Sequence, residues 1–143
     1  DGLYILSKDG STILVASPTL SGEVNITDST ITAIGNGAFA HNNKITSINA
    51  PSVVVVDDYA FFMARNLKSL SLGTLTKIGK YSFANTSISV LPTLNSIKTI
   101  SDYAFSNTKL TAVVIGNDVE ICEGALSALF LLIAILGFRL VFC

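Results

Sequence analysis

Four phenylalanines, Phe39, Phe61, Phe83 and Phe105, stand 22 residues apart, and this period is the strongest constraint the chain places on its own fold. Each follows a small residue (Ala38, Ala60, Ser82 or Ala104), and each lies five positions after a β-branched aliphatic (Ile34, Val56, Ile78 or Ile100). A fifth copy begins at Ile121, with Gly124, Ala125 and Leu126 in place of Tyr103, Ala104 and Phe105. A unit this short cannot bury its own apolar face, so successive units must stack and share one core. Rungs about 4.8 Å apart would then place the phenylalanine rings in an internal ladder. The expected architecture is a solenoid of stacked parallel β-strands, with short turns or helical turns on the convex side.

A second landmark keeps step with the first. Aliphatic pairs Ile45 and Ile48, Leu67 and Leu70, Ile88 and Leu91, and Leu110 and Val113 mark an L-x-x-L-x-L-like strand in each unit. The gap from phenylalanine to strand is six residues in the first two copies and five in the next two, and the segment after Ile88 regains the lost residue. A slip repaired at once is what stacking register requires. The outward positions of these strands are Ser47 and Asn49, Ser69 and Ser71, Val90 and Pro92, and Ala112 and Val114, and they form the candidate protein-binding concave face.

Residues 1–30 read as an N-terminal hairpin and the first strand of the array. Leu3 to Leu6 and Ile13 to Ala16 are apolar runs separated by a turn containing Asp9 and Gly10. Residues 31–124 hold the 22-residue repeats. Residues 125–143, ALSALFLLIAILGFRLVFC, carry Arg139 as their only charge. As a helix this apolar tail would be about 28 Å long, close to the thickness of a bilayer's hydrocarbon core. A membrane-spanning or membrane-inserting helix through 125–143, a buried capping helix and an aberrant end are the three readings, and Arg139 would snorkel to the headgroups in the first. The opening at Asp1, without a signal-peptide pattern, leads us to expect a piece of a longer protein.

Nine basic residues against ten acidic ones give no cationic excess for nucleic acid. Catalysis has little to draw on. The single histidine, His41, sits in the polar turn AHNNK and reads as solvated, and we expect no enzyme and no cofactor. Asp57 and Asp58 are adjacent, but Asp58 shares its repeat position with Asn36 and Asp102, which suits capping of the turn that follows. Gly35 and Gly37 are repeat positions and not a phosphate loop. Cys122 takes the place of Gly35 and Gly79, with no ligand-spaced partner for a metal, and reads as structural. Tyr59, Tyr81 and Tyr103 form a second aromatic column, read as packing along the convex edge. Asn25-Ile26-Thr27 and Asn85-Thr86-Ser87 match the N-glycosylation pattern.

The strings ITAIGNGAF, VDDYAF, IGKYSF and ISDYAF, alternating with ITSI, LKSL and LTAV, resemble the BspA-like leucine-rich repeats of bacterial and protist surface proteins. The opening YILSKDGSTILVASP is similar to the strand pair that begins such arrays. The resemblance covers about residues 3 to 126 and implies a leucine-rich-repeat solenoid. It also implies a surface antigen or adhesin, located at the cell surface or secreted, whose partner is a host or extracellular-matrix protein. The family often has cysteine after the phenylalanine-containing turn, where this chain has Asn42, Ala64, Asn85 and Asn107. An intracellular leucine-rich-repeat scaffold and a truncated, non-functional fragment are the competing readings.

Overall fold

The computed structural model describes residues 3–127 and the main chain of two further strands, 132–135 and 140–142. It is a β-solenoid of about five stacked coils in which each turn contributes a short strand and most also contribute a longer one.

The N-terminal hairpin forms as expected. Strand β1 (Tyr4–Leu6) pairs antiparallel with β2 (Thr12–Ala16). Gly10 adopts φ 76°, open to glycine without steric cost, and its N–H donates to the Ser7 carbonyl at 2.9 Å. Asp9 locks the turn, since its carboxylate accepts from Ser7 Oγ at 2.6 Å, Ser11 Oγ at 2.9 Å and the Ser11 N–H at 3.1 Å. The hairpin does not stand apart from the array. Strand β2 pairs in parallel with β4 (Ala33–Ile34), which begins a continuous ladder through β6 (Val55–Val56), β8 (Lys77–Ile78), β9 (Thr99–Ile100) and β11 (Val119–Ile121). The second ladder is made by β3 (Gly22–Asn25), β5 (Ile45–Ala50) and β7 (Ser69–Leu72), all parallel. Strand β10 (Ala112–Ile115) belongs to a separate two-stranded sheet.

Between the short strands and the next long one the chain makes a turn that bonds to the following coil at every second residue. The N–H groups of Gly37, Phe39 and His41 donate to the carbonyls of Asp58, Ala60 and Phe62, and the pattern repeats from Tyr59, Phe61 and Met63 to Lys80, Ser82 and Ala84. The intervening N–H groups close tight turns within the coil, such as Ala38 to Gly35 and Ala40 to Gly37. To point alternate groups in this way, two residues per coil take positive φ: Gly37 and His41, Tyr59 and Met63, Tyr81 and Asn85, Tyr103 and Asn107. This arrangement excludes a helix, whose N–H groups all point along one axis. The convex side therefore consists of short turns, and none of the described residues is helical.

The core is the predicted ladder. Phe39, Phe61, Phe83 and Phe105 are fully buried, with consecutive ring centroids 5.2, 5.4 and 5.4 Å apart and planes within 19° of parallel. Tyr4 of the hairpin closes the N-terminal end, meeting Phe39 edge-on at 6.2 Å. Ser82 stands where the other coils have alanine, is fully buried, and its hydroxyl has no hydrogen-bond partner.

The C-terminal helix is not formed. Strands β12 (Leu132–Ile135) and β13 (Leu140–Phe142) continue the array instead, β12 beside β10 with Val113 opposite Ile133 and β13 beside β11 with Ile121 opposite Phe142. A short unbroken apolar run has no periodicity to distinguish helix from buried strand, and here the offset to the preceding coil supplied the missing information. Residues 113 and 133 are 20 apart and residues 121 and 142 are 21 apart, close to one repeat. No helix among the described residues is long and apolar enough to cross a membrane. Arg139, to which the snorkelling reading was attached, lies outside the described residues, as does Asp1.

Three outcomes follow from this packing. Phe83→Ala, at the centre of the ladder, should lower unfolding free energy by about 3 to 5 kcal/mol in a denaturant titration. Ser82→Ala removes an unpartnered buried hydroxyl and restores the residue of the neighbouring coils, so it should raise stability by about 1 kcal/mol. The hydrogen bond from Ser7, followed by those from the Ser11 main chain and hydroxyl, lowers the Asp9 carboxyl to about 2. Because that value lies below the ordinary aspartate value of about 3.9, its contribution to the hairpin is complete above pH of about 4 and is lost as pH falls toward 2. Carboxyl NMR should give a midpoint near 2, with the Ser11 amide shifting in parallel. A midpoint near the ordinary value would refute the turn geometry.

A candidate protein-binding face

The coils that form a longer strand contribute its outward residues to one face, because the aliphatic positions of that strand are anchored in the core. Ile45, Ile48 and Ala50 are buried in β5, which leaves Ser47 and Asn49 facing outward and half-buried. In β7, Ser69 and Ser71 are exposed and lie in register with Ser47 and Asn49. Asn49 also reaches back to β3, where its Nδ2 donates to Asn25 Oδ1 at 2.8 Å, and Asn25 Nδ2 donates to Glu23 Oε1 at 3.2 Å. The face is thus a hydroxyl and amide surface on β5 and β7, with the exposed Glu23 carboxylate at its β3 end.

Beyond β7 the expected face is interrupted. Val90 and Pro92 are exposed as predicted, but they lie between β7 and β10 in a stretch that forms no strand. Ala112 is exposed and Val114 half-buried on β10. The eight predicted residues therefore fall into three groups: four on one sheet, two in a break and two on another. The break coincides with the shortened copy of the repeat. The last inter-coil bonds before it run from the Ser87 N–H to the Leu67 carbonyl at 2.9 Å and from the Lys109 N–H to the Ile88 carbonyl at 3.0 Å, and the first after it from the Leu94 N–H to the Val114 carbonyl at 2.9 Å. Pro92 has no N–H to offer a ladder. A groove of about 450 Å³ opens there, lined by residues that include Lys68, Ser71, Leu72, Val90, Leu91 and Pro92.

The other sequence candidates fall into structural roles. The tyrosine column is stacked on itself, with Tyr59 to Tyr81 centroids 5.3 Å apart and Tyr81 to Tyr103 4.9 Å apart, planes within 8° of parallel. Tyr81 is stacked on both sides and Tyr59 and Tyr103 on one each, which accounts for the column as packing. The column ends at Gly124, which has φ 60° and lies so close to the Tyr103 ring that an added Cβ would collide with it. Tyr103 Oη donates to Glu123 Oε1 at 2.9 Å, and that hydrogen bond, with the carboxylate's charge, holds the phenol above its ordinary value.

Asp58 does not cap the turn that follows it. Its Oδ1 accepts from the Lys80 N–H at 2.8 Å, one coil further on, because the alternating turn already employs its own N–H groups. Asp57 pairs with Lys77 Nζ at 2.6 Å, and Asp102 with Lys80 Nζ at 2.9 Å. Asn42 bonds the start of β5, its Oδ1 accepting from the Lys44 and Ile45 N–H groups at 3.0 and 3.2 Å. His41 lies edge-on to Phe62 at 5.7 Å. Asn85, in the second sequon, accepts from Asn107 Nδ2 at 2.7 Å, and its φ of 60° belongs to the inter-coil turn. The Cys122 sulfur is in a disulfide and its N–H donates to the Ile100 carbonyl at 3.0 Å. Among the described residues no three or more His, Cys, Asp or Glu side chains are gathered as a metal site would need.

Sequence reasoning missed two features of this region. One is the break itself, whose signal was the one-residue slip beside Pro92. The other is a row of exposed cations, Lys44, Arg65, Lys68 and Lys109, where the chain enters the long strands. They do not share one repeat position, since Arg65 and Lys68 lie three apart in one coil, and they gather only once the coils are stacked.

Comparison with curated proteins finds no match, and comparison with solved structures finds none either. The family model of the BspA type leucine-rich repeat region matches residues 19–128 in six copies, an interval that includes the ladder, the alternating turns and the long strands described above. With most of its length accounted for in this way, the chain belongs to the BspA-type leucine-rich repeat family.

Proposed function

We propose that this chain is a non-enzymatic surface protein that binds a host or extracellular-matrix protein through its long-strand face. The observation that carries this reading is the sheet β3-β5-β7, which presents Ser47, Asn49, Ser69 and Ser71 in register on a rigid, extended surface. Leucine-rich-repeat solenoids are suited to binding proteins, and extended faces of this kind accommodate partners too large for a pocket. The BspA-type family is generally associated with surface proteins, which supports a location at the cell surface or in a secreted form.

The Ser69→Glu, Ser71→Glu double variant tests this. Both side chains are exposed, so thermal stability should change by less than about 0.5 kcal/mol, the range of ordinary surface substitutions. Retention on immobilised collagen, laminin and fibronectin should fall at least tenfold for whichever of them the unmodified protein binds. Undiminished retention by the double variant would remove this face from the proposal.

A further inference from the structure

We infer that the break between β7 and β10 is an anchor pocket for one apolar side chain of an acidic, extended polypeptide. This rests on the reading of the long-strand face as a binding surface and assigns its partner a chemistry.

The pocket is built by a defect in pairing. Among the described residues β7 pairs only with β5, and the parallel alternation fixes which of its main-chain groups are engaged. The Lys68 N–H donates toward β5, to the Thr46 carbonyl at 2.9 Å, so Leu70 and Leu72 face β5 as well, while the N–H and C=O groups of Ser69 and Ser71 face the break. Hydrogen-bonding groups turned into an open groove are matched by the main chain of an extended partner.

The groove is apolar where it is deepest. Leu70, Leu72 and Leu91 are half-buried there, against the fully buried Leu67 and Ile88 of the adjoining core. Val90 is 72% exposed, more than any other large hydrophobic residue described. A solvent-facing valine above half-covered leucines gains from an aliphatic or aromatic side chain placed on it, and one such buried anchor commonly carries a large share of binding energy.

Charge selects the rest of the partner. Lys68 borders the groove itself, and Lys44, Arg65 and Lys109 lie along the same entrance to the long strands, all exposed. The two ion pairs, Lys77 with Asp57 and Lys80 with Asp102, lie elsewhere, at the corner after the short strands, and engage none of these four cations. Within the described long strands the single carboxylate is Glu23, on β3, two strands away from the groove. A segment laid along the free edge of β7 has one end at the strand entrance beside Lys68, with Lys109 preceding β10 across the groove, so carboxylates flanking the anchor meet cations at that end, which speeds encounter.

Fluorescence anisotropy at low ionic strength with three labelled peptides, EESFSEE, EESSSEE and KKSFSKK, tests the assignment. EESFSEE should bind at least tenfold more tightly than either of the others, and its affinity should fall at least fivefold in Val90→Ser and in Lys68→Glu. Both substituted residues are exposed, and an unchanged thermal midpoint confirms that the fold is intact. Equal affinity for EESFSEE and EESSSEE would overturn the pocket, and equal affinity for EESFSEE and KKSFSKK would overturn the acidic partner. Loss of matrix retention in the Ser69, Ser71 double variant, together with no binding of EESFSEE, would keep the face as a binding surface and overturn the break as its anchor.

Discussion

The array depends on the alternating turn of the convex side, where every second N–H leaves its own coil and bonds to the next. Three such bonds per coil, from the positions of Gly37, Phe39 and His41 and their counterparts, fix both the spacing and the lateral register of the stack. The phenylalanine rings are carried by the middle bond of each set, so their ladder is a consequence of that register as much as a cause of it. One inserted residue here would turn the N–H groups of a whole turn away from their acceptors. The long strands are under a weaker constraint. A one-residue slip in the third copy accompanies a local break there, while the turns above and below remain aligned.

This difference explains how the chain tolerates costs that would otherwise be hard to place. Tyrosine at positive φ is disfavoured by about 1 to 2 kcal/mol, yet Tyr59, Tyr81 and Tyr103 all adopt it. The stacking of each ring on its neighbour returns about 0.5 to 1.5 kcal/mol per pair, and the inter-coil bonds of the turn are made in the same conformation. Where the column ends, glycine takes over the position and the ring below occupies the space of its missing side chain. In a stack held by nearest-neighbour interfaces, such local compensation is the only kind available, because distant coils do not touch.

The period, the internal ladder and the N-terminal hairpin were legible because each is written in apolar positions whose spacing has one physical solution. The convex turn was legible as a turn but not in its detail. Nothing in the type of residue marks tyrosine, methionine or histidine for the left-handed region, and only the demand for inter-coil bonds puts them there. Asp58 was misread for the same reason, since a capping residue and a residue that bonds the next coil look alike until the acceptor is located. The apolar tail hid its strands because uniform hydrophobicity erases both the helical and the strand period. Its alignment with the preceding coil, Val113 with Ile133 and Ile121 with Phe142, was present in the sequence but carried by aliphatic residues alone. The long-strand face was legible in its residues and not in its continuity.

That interruption bears on what the face can distinguish. A regular parallel sheet tends to repeat its chemistry from coil to coil, so a partner displaced by one repeat between β5 and β7 meets similar hydroxyls and amides again. Translational ambiguity of this kind weakens specificity without weakening contact. A single break removes it, because only one position along the array then combines Val90, the half-buried leucines and the Lys68 ammonium. The convex turns hold the register of the stack, and this freedom allows one long-strand segment to depart from the repeat without unstacking its neighbours. Uniqueness along a repetitive surface therefore arises where the repeat fails, and in this chain it fails on the face that is free to do so.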